Sequence, residues 1–125
     1  WRLYNFNTPF ATGFAADDAD PDADGRTNLV EYATGTSPIN ADSGPVAGLA
    51  VAGNGSARQL TLTFDRIADP TLTYTVEAST TLAAGSWTTI VPPALPLTGP
   101  VTVTDPSFMS GHTRRFLRLK IVRTP

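Results

Sequence analysis

The chain has 125 residues with 11 Pro, 10 Gly, no Cys and a formal net charge of −2. That length allows one domain with its own core plus a small appendage. The composition excludes disulfide staples and thiolate chemistry, and no stretch approaches the roughly 18 apolar residues of a membrane-spanning helix. The charge is unevenly placed. Residues 1–43 hold seven acids (Asp17, Asp18, Asp20, Asp22, Asp24, Glu31, Asp42) against Arg2 and Arg26, while residues 44–125 hold four acids against seven bases. The chain starts at Trp1, with no charged stretch leading into an apolar one, so the expectation is a piece of a longer protein.

Taken in chain order, Trp1-Arg2-Leu3-Tyr4-Asn5-Phe6 reads as the end of a helix, with Trp1 and Tyr4 at i, i+3 spacing. An Asp-rich loop follows. Leu29, Val30, Tyr32 and Ala33 then predict a short apolar helix, with Thr27 as N-cap and Gly35 as its left-handed stop. Thr36-Ser37-Pro38 closes that unit, and residues 39–46 read as a linker.

From residue 47 the apolar period changes to two. Leu60, Leu62 and Phe64 alternate with Thr61, Thr63 and Asp65, and Leu72, Tyr74 and Val76 with Thr73, Thr75 and Glu77. Val101 and Val103, and then Leu117, Leu119 and Ile121, continue the pattern, and Trp87–Val91 adds a further strand. Such strands bury one face and wet the other. Gly53-Asn54-Gly55-Ser56 predicts a hairpin on a type I′ turn. About six short strands with frequent turns predict an antiparallel sandwich.

One segment carries specific chemistry. Asp20-Pro21-Asp22-Ala23-Asp24-Gly25-Arg26-Thr27-Asn28-Leu29-Val30-Glu31 fits the calcium template D-x-D-x-D-G-x₅-E. Calcium takes six to eight oxygens in a flexible arrangement. Asp20, Asp22 and Asp24 supply carboxylates at loop positions 1, 3 and 5, and Gly25 permits the sharp turn. The Arg26 carbonyl serves position 7 whatever its side chain does. Asn28 reaches the ion directly or through water, and Glu31 closes the shell from the exit helix. Starting the register at Asp18 instead puts Ala23 at the glycine position and Leu29 at the glutamate position, and the match fails. A merely soluble loop needs no such density as five Asp in eight residues. Magnesium fits less well, because it holds its waters and demands a tight octahedron.

The segment resembles the loops of EF-hands, dockerins and thrombospondin type 3 repeats. The longer run from Ala16 to Pro38 is similar to a segment found near the C-terminus of large secreted bacterial proteins. There it precedes a β-sandwich ending in a strand like Arg115-Phe116-Leu117-Arg118-Leu119. The resemblance implies an extracytoplasmic, calcium-loaded module. Two departures set limits. Paired EF-hands carry an aliphatic residue at position 8, where this chain has Thr27 and no second full loop, which argues against a switch or a complete dockerin. Position 4, often Gly, is Ala23, which predicts a strained backbone and a modest affinity. Asp42 is a further candidate ligand, by resemblance to the later acids of thrombospondin type 3 repeats, or an ordinary turn residue.

Other features are weaker. Asp105, Ser110 and His112 superficially resemble a triad but share a turn-forming connection. Arg114, Arg115, Arg118, Lys120 and Arg123 could form a basic stripe, though strand alternation makes Arg118 and Lys120 ordinary edge protection. Trp87, Tyr74 and Tyr32 could stack on sugars, with Trp87 the better candidate. Asn54-Gly55-Ser56 fits a glycosylation sequon that the turn already explains.

The expectation is therefore a mainly β protein: an antiparallel immunoglobulin-like β-sandwich (residues 44–125) preceded by a short helix–calcium loop–helix unit (residues 1–43). Its expected role is that of a non-catalytic, calcium-stabilised accessory module of a larger secreted or surface protein. Its expected partners are calcium and neighbouring domains of the parent chain. The alternative is a module that binds carbohydrate or a cell-surface component. Nucleic-acid binding and a membrane span are not expected.

Overall fold

A computed structural model describes residues 1–124. The chain divides into two compact units, Trp1–Pro45 and a second beginning at Val46. Strands dominate, in two antiparallel three-stranded sheets, and helices are few. Among the described residues no helix is long and apolar enough to cross a membrane.

The first unit opens with helix α1 (Arg2–Phe6), which Asn7 stops in the left-handed conformation at φ 54. Asn tolerates that conformation, and Thr8 precedes Pro9, which disfavours further helix. A 3₁₀ turn at Gly13–Ala15 follows. The acidic loop is therefore not entered from a helix, as the helix–loop–helix expectation required, but from the irregular segment after Ala15. Helix α2 (Asn28–Thr34) begins after Thr27 and ends at Gly35, whose φ of 78 lets its N–H and that of Thr36 both bond the Glu31 carbonyl. Thr27 has cap backbone geometry but makes no side-chain cap bond. The buried face of α2 also differs from expectation. Asn28, Glu31, Ala33 and Thr34 are buried, whereas Leu29, Val30 and Tyr32 are only half-buried. Trp1 meets Tyr32 edge-on with ring centroids 5.5 Å apart, so Tyr32 is engaged within this unit.

In the second unit, β1 (Ala47–Ala52), β2 (Gln59–Arg66) and β5 (Gly99–Thr104) form one sheet in the order β1-β2-β5. Strands β4 (Thr88–Ile90), β3 (Leu72–Ser79) and β6 (Phe116–Arg123) form the other in the order β4-β3-β6. The alternating positions read from sequence supply one core drawn from both sheets. Leu62, Phe64, Val76, Val101 and Val103 are buried together, with Tyr74, Ile90, Leu117 and Leu119 packed on them. Tyr74 lies stacked on Phe64 at 6.0 Å and accepts the Ile67 N–H on its hydroxyl, so it serves the core.

The β1–β2 connection is not the expected type I′ turn. Register places Ala52 opposite Gln59, and the intervening residues hold a 3₁₀ turn at Gly55–Ala57 with Asn54 extended at φ −134. The tight position is Gly53: at φ 85, a Cβ there would lie 2.4 Å from the Ala57 carbonyl oxygen. Ser110 and Met109 bind this turn through the Ser56 and Arg58 carbonyls, which favours a wider loop over a two-residue one.

Candidate metal centre

The acidic loop brings Asp20, Asp22 and Asp24 together, with one carboxylate oxygen of each within 4.8 Å of the others. Each of the three carboxylates also accepts a backbone N–H of its own loop. Asp20 Oδ2 takes Gly25 at 3.0 Å, Asp22 Oδ1 takes Asp24 at 3.3 Å, and Asp24 Oδ1 takes Arg26 at 2.9 Å. These bonds curl the chain around the three acids, and Gly25 at φ 92 makes the curl possible. Asp20 Oδ1 and Asp22 Oδ2 are left buried without a hydrogen-bond partner in the chain.

Glu31, on α2, lies outside that triplet of mutually close oxygens, but the charges of all three aspartates act on it. It is 0% exposed, and neither of its carboxylate oxygens has a partner in the chain. Burial, then the charges of Asp22, Asp24 and Asp20, push its pKa from the ordinary 4.5 to about 7, against a smaller opposing pull from Arg26. Burial also raises Asp22, assisted by the charges of Asp24 and Asp20 and opposed by the Asp24 N–H. Asp24 is lowered, chiefly by the N–H of Asp42. A protein that buries a carboxylate with no donor faces a cost of several kcal/mol unless a cation or proton compensates. Three convergent aspartates, with unpartnered oxygens on Asp20, Asp22, Asn28 and Glu31, form an all-oxygen donor set of the kind that suits a hard cation such as calcium.

The remaining predicted positions are placed as follows. The Asn28 amide nitrogen donates to the Phe14 and Ala16 carbonyls, both at 2.7 Å, and its Oδ1 is buried without a partner. Asn28 thus pins the incoming segment and keeps its oxygen available. Backbone bonds from Asn28 to Ala19 and from Leu29 to Asp17 close the base of the loop. The Arg26 side chain turns to Asp24, Asp42 and the Gly44 carbonyl. Asp42 stands outside the acidic triplet, its side chain paired with Arg26 at 3.6 Å and its N–H on Asp24 Oδ2 at 2.9 Å. Arg2, which no sequence motif singles out, pairs with Asp17 and donates to the Ala15 carbonyl, bracing the segment that enters the loop.

Ala23 occupies the left-handed region at φ 60. For a residue with a Cβ this costs about 1 kcal/mol. For a loop that holds calcium, Ala23→Gly should therefore tighten binding by up to about fivefold, measured by calorimetric titration of both proteins.

The raised Glu31 pKa gives a pH dependence. Without metal, the folded loop retains a proton between about pH 4.5 and 7 that the unfolded chain has released. Metal-free stability should thus fall as pH rises through that window. A calcium ion held by Glu31 would need the ionised carboxylate, so its affinity should fall as pH drops below about 7. Thermal unfolding at pH 5 and pH 8, with calcium and with chelator, should show calcium stabilising strongly at pH 8 and weakly at pH 5.

In the second unit two of the triad-like residues, Asp105 and Ser110, are engaged with other partners. Asp105 is fully buried and held by Arg115 through Nε at 2.6 Å and Nη2 at 2.9 Å, while Ser110 donates to the Ser56 carbonyl. Burial works to raise the Asp105 carboxyl, but the Arg115 bonds, the Ser107 N–H and the charges of Arg115 and His112 prevail and hold it below the ordinary range. The basic stripe is likewise broken up by pairing. Arg115 goes to Asp105, Arg118 to Glu77 at 2.9 Å, and Arg123 to Asp69 at 3.8 Å. Trp87 is half-buried and stands outside the core cluster; the Arg118 guanidinium lies 3.8 Å from its ring centroid.

Comparison with family models, with curated proteins and with solved structures found no match.

Proposed function

We propose that this chain is a non-catalytic, calcium-stabilised accessory module of a larger secreted or surface protein, with a structural, spacing or attachment role. One calcium ion would be held by Asp20, Asp22, Asp24, the Arg26 carbonyl, Asn28 and Glu31. The observation that carries the reading is Glu31, wholly buried beside three aspartates with both carboxylate oxygens unpartnered in the chain. The resemblance to EF-hand, dockerin and thrombospondin type 3 loops supports the same ion and an extracellular setting, where calcium is abundant enough for a site of roughly 10⁻⁴ to 10⁻³ M affinity.

The strand unit is proposed as an immunoglobulin-like β-sandwich. The sheet orders β1-β2-β5 and β4-β3-β6, and the apolar core that draws on both, support that reading. Calcium is read as a staple. A sensor needs a helix pair that opens a Met-rich groove, whereas this chain has one Met and an exit helix of 7 residues. A helix that short owes its order to the metal and to packing. Hydrogen exchange with and without calcium tests this. Protection should change within residues 1–43 and little beyond about residue 50, and rearrangement of the strands on calcium removal would contradict the staple and favour a switch.

The second reading, a carbohydrate- or cell-surface-binding module, rests on Trp87, an aromatic ring outside the core with a cation against it. Under that reading, Trp87→Ala abolishes binding on a glycan array, while Arg118→Ala with Lys120→Ala only weakens it.

A further inference from the structure

Arg26 sits at the one loop position whose side chain the metal does not need, yet that side chain is only 11% exposed and fully engaged. Its guanidinium hydrogen-bonds the Gly44 carbonyl, faces Asp42 Oδ2 at 3.6 Å and lies 3.9 Å from Asp24 Oδ2. That same Asp24 oxygen accepts the Asp42 N–H at 2.9 Å. Residues 42–44 are therefore held by two side chains of the acidic loop and have no secondary structure of their own. We propose that Arg26, with Asp24, is a positioning device that transmits calcium occupancy to residues 42–44, ordering the segment through which the first unit ends.

The inference rests on the calcium reading and extends it from the loop to the connecting segment. Without the ion, the mutual repulsion of Asp20, Asp22 and Asp24 favours opening of the loop. Asp24 then cannot keep its place under the Asp42 N–H, and Arg26, displaced with the loop, releases Gly44. With the ion, Asp24 would be held as a ligand at position 5 and the carbonyl of Arg26 at position 7. Both clasp residues are then anchored at their bases, and closing the clasp costs little further entropy.

The test is amide exchange and ¹⁵N relaxation by NMR on the whole chain, wild type and Arg26→Ala, with calcium and with chelator, alongside calcium titration of each. In the wild type, calcium should slow exchange at the Asp42 amide at least about tenfold and order Ser43 and Gly44. Arg26→Ala keeps the position-7 carbonyl and should still bind one calcium ion, several-fold more weakly because the coupling is reciprocal, and order Gly25 and Asn28 normally, yet leave Ser43 and Gly44 as mobile as in chelator. Calcium binding that leaves residues 42–44 unchanged, or ordering that survives intact in Arg26→Ala, overturns the clasp and leaves the calcium site standing. An absence of calcium binding in the wild type overturns both.

Discussion

Calcium at a hundredfold excess over its dissociation constant should stabilise whatever unfolds with the acidic loop by about 2.7 kcal/mol. That is a rise of roughly 10 °C in melting temperature for a chain of this size if it unfolds as one unit. Glu31→Ala should remove most of the rise, because Glu31 supplies two of the buried oxygens that have no other partner. The same substitution should act in the opposite direction in chelator. There, above about pH 7, Glu31 is a buried carboxylate repelled by three aspartates, so its removal relieves repulsion and desolvation and raises the metal-free melting temperature. This crossing of sign separates a ligand from a merely well-packed residue, whose truncation would destabilise under both conditions. The β-signal in circular dichroism should be unchanged throughout.

The second large effect lies in the strand unit. Arg115→Ala leaves Asp105 buried and charged without its bidentate partner, and should cost about 3–5 kcal/mol. The loss extends beyond one ion pair, since Asp105 also joins β5 to β2 through its N–H on the Leu60 carbonyl and its own carbonyl under the Gln59 amide. Asp105→Asn with Arg115→Met should recover part of the stability, because the pair is then replaced by groups that need no counter-charge. The held-down Asp105 pKa fixes the sign with pH: the contribution is present above the ordinary carboxylate range and is lost as pH falls through the folded value. Urea unfolding of the three proteins at pH 7, and of the wild type down to pH 3, measures both effects.

What was legible in the sequence was local. The acidic loop could be read because its geometry is set by residues a few positions apart: Gly25 for the turn, Gly35 for the helix stop, and alternate aspartates that meet when the loop curls. The core strands could be read because a period of two states which face is buried, and Leu62, Phe64, Val76, Val101 and Val103 all lie in one cluster. Pairings that depend on strand register or on long-range closure were not legible. Arg118 is exposed on edge strand β6, as the alternation indicated, but its pairing with Glu77 and its place against Trp87 depend on register. Asp105 looked like a turn former because its partner, Arg115, lies beyond the intervening 3₁₀ turn at Met109–Gly111. Asn54-Gly55 had the chemistry of a two-residue hairpin, but contacts from Met109 and Ser110 outweighed that local preference. The segment that enters the loop misled for the same reason. Its order comes from Asn28 and Arg2, 12 and 13 residues from the carbonyls of Ala16 and Ala15 that they hold.

The central proposal is that Asp20, Asp22, Asp24 and Glu31 together hold one calcium ion. Calorimetric titration of chelator-treated protein with calcium at pH 7.5, in wild type and Glu31→Gln, tests it most directly. The account predicts one site per chain in the wild type, at roughly 10⁻⁴ to 10⁻³ M or somewhat tighter, and at least a tenfold loss in Glu31→Gln. No heat at millimolar calcium, two strong sites, or an isotherm indifferent to Glu31→Gln would contradict it.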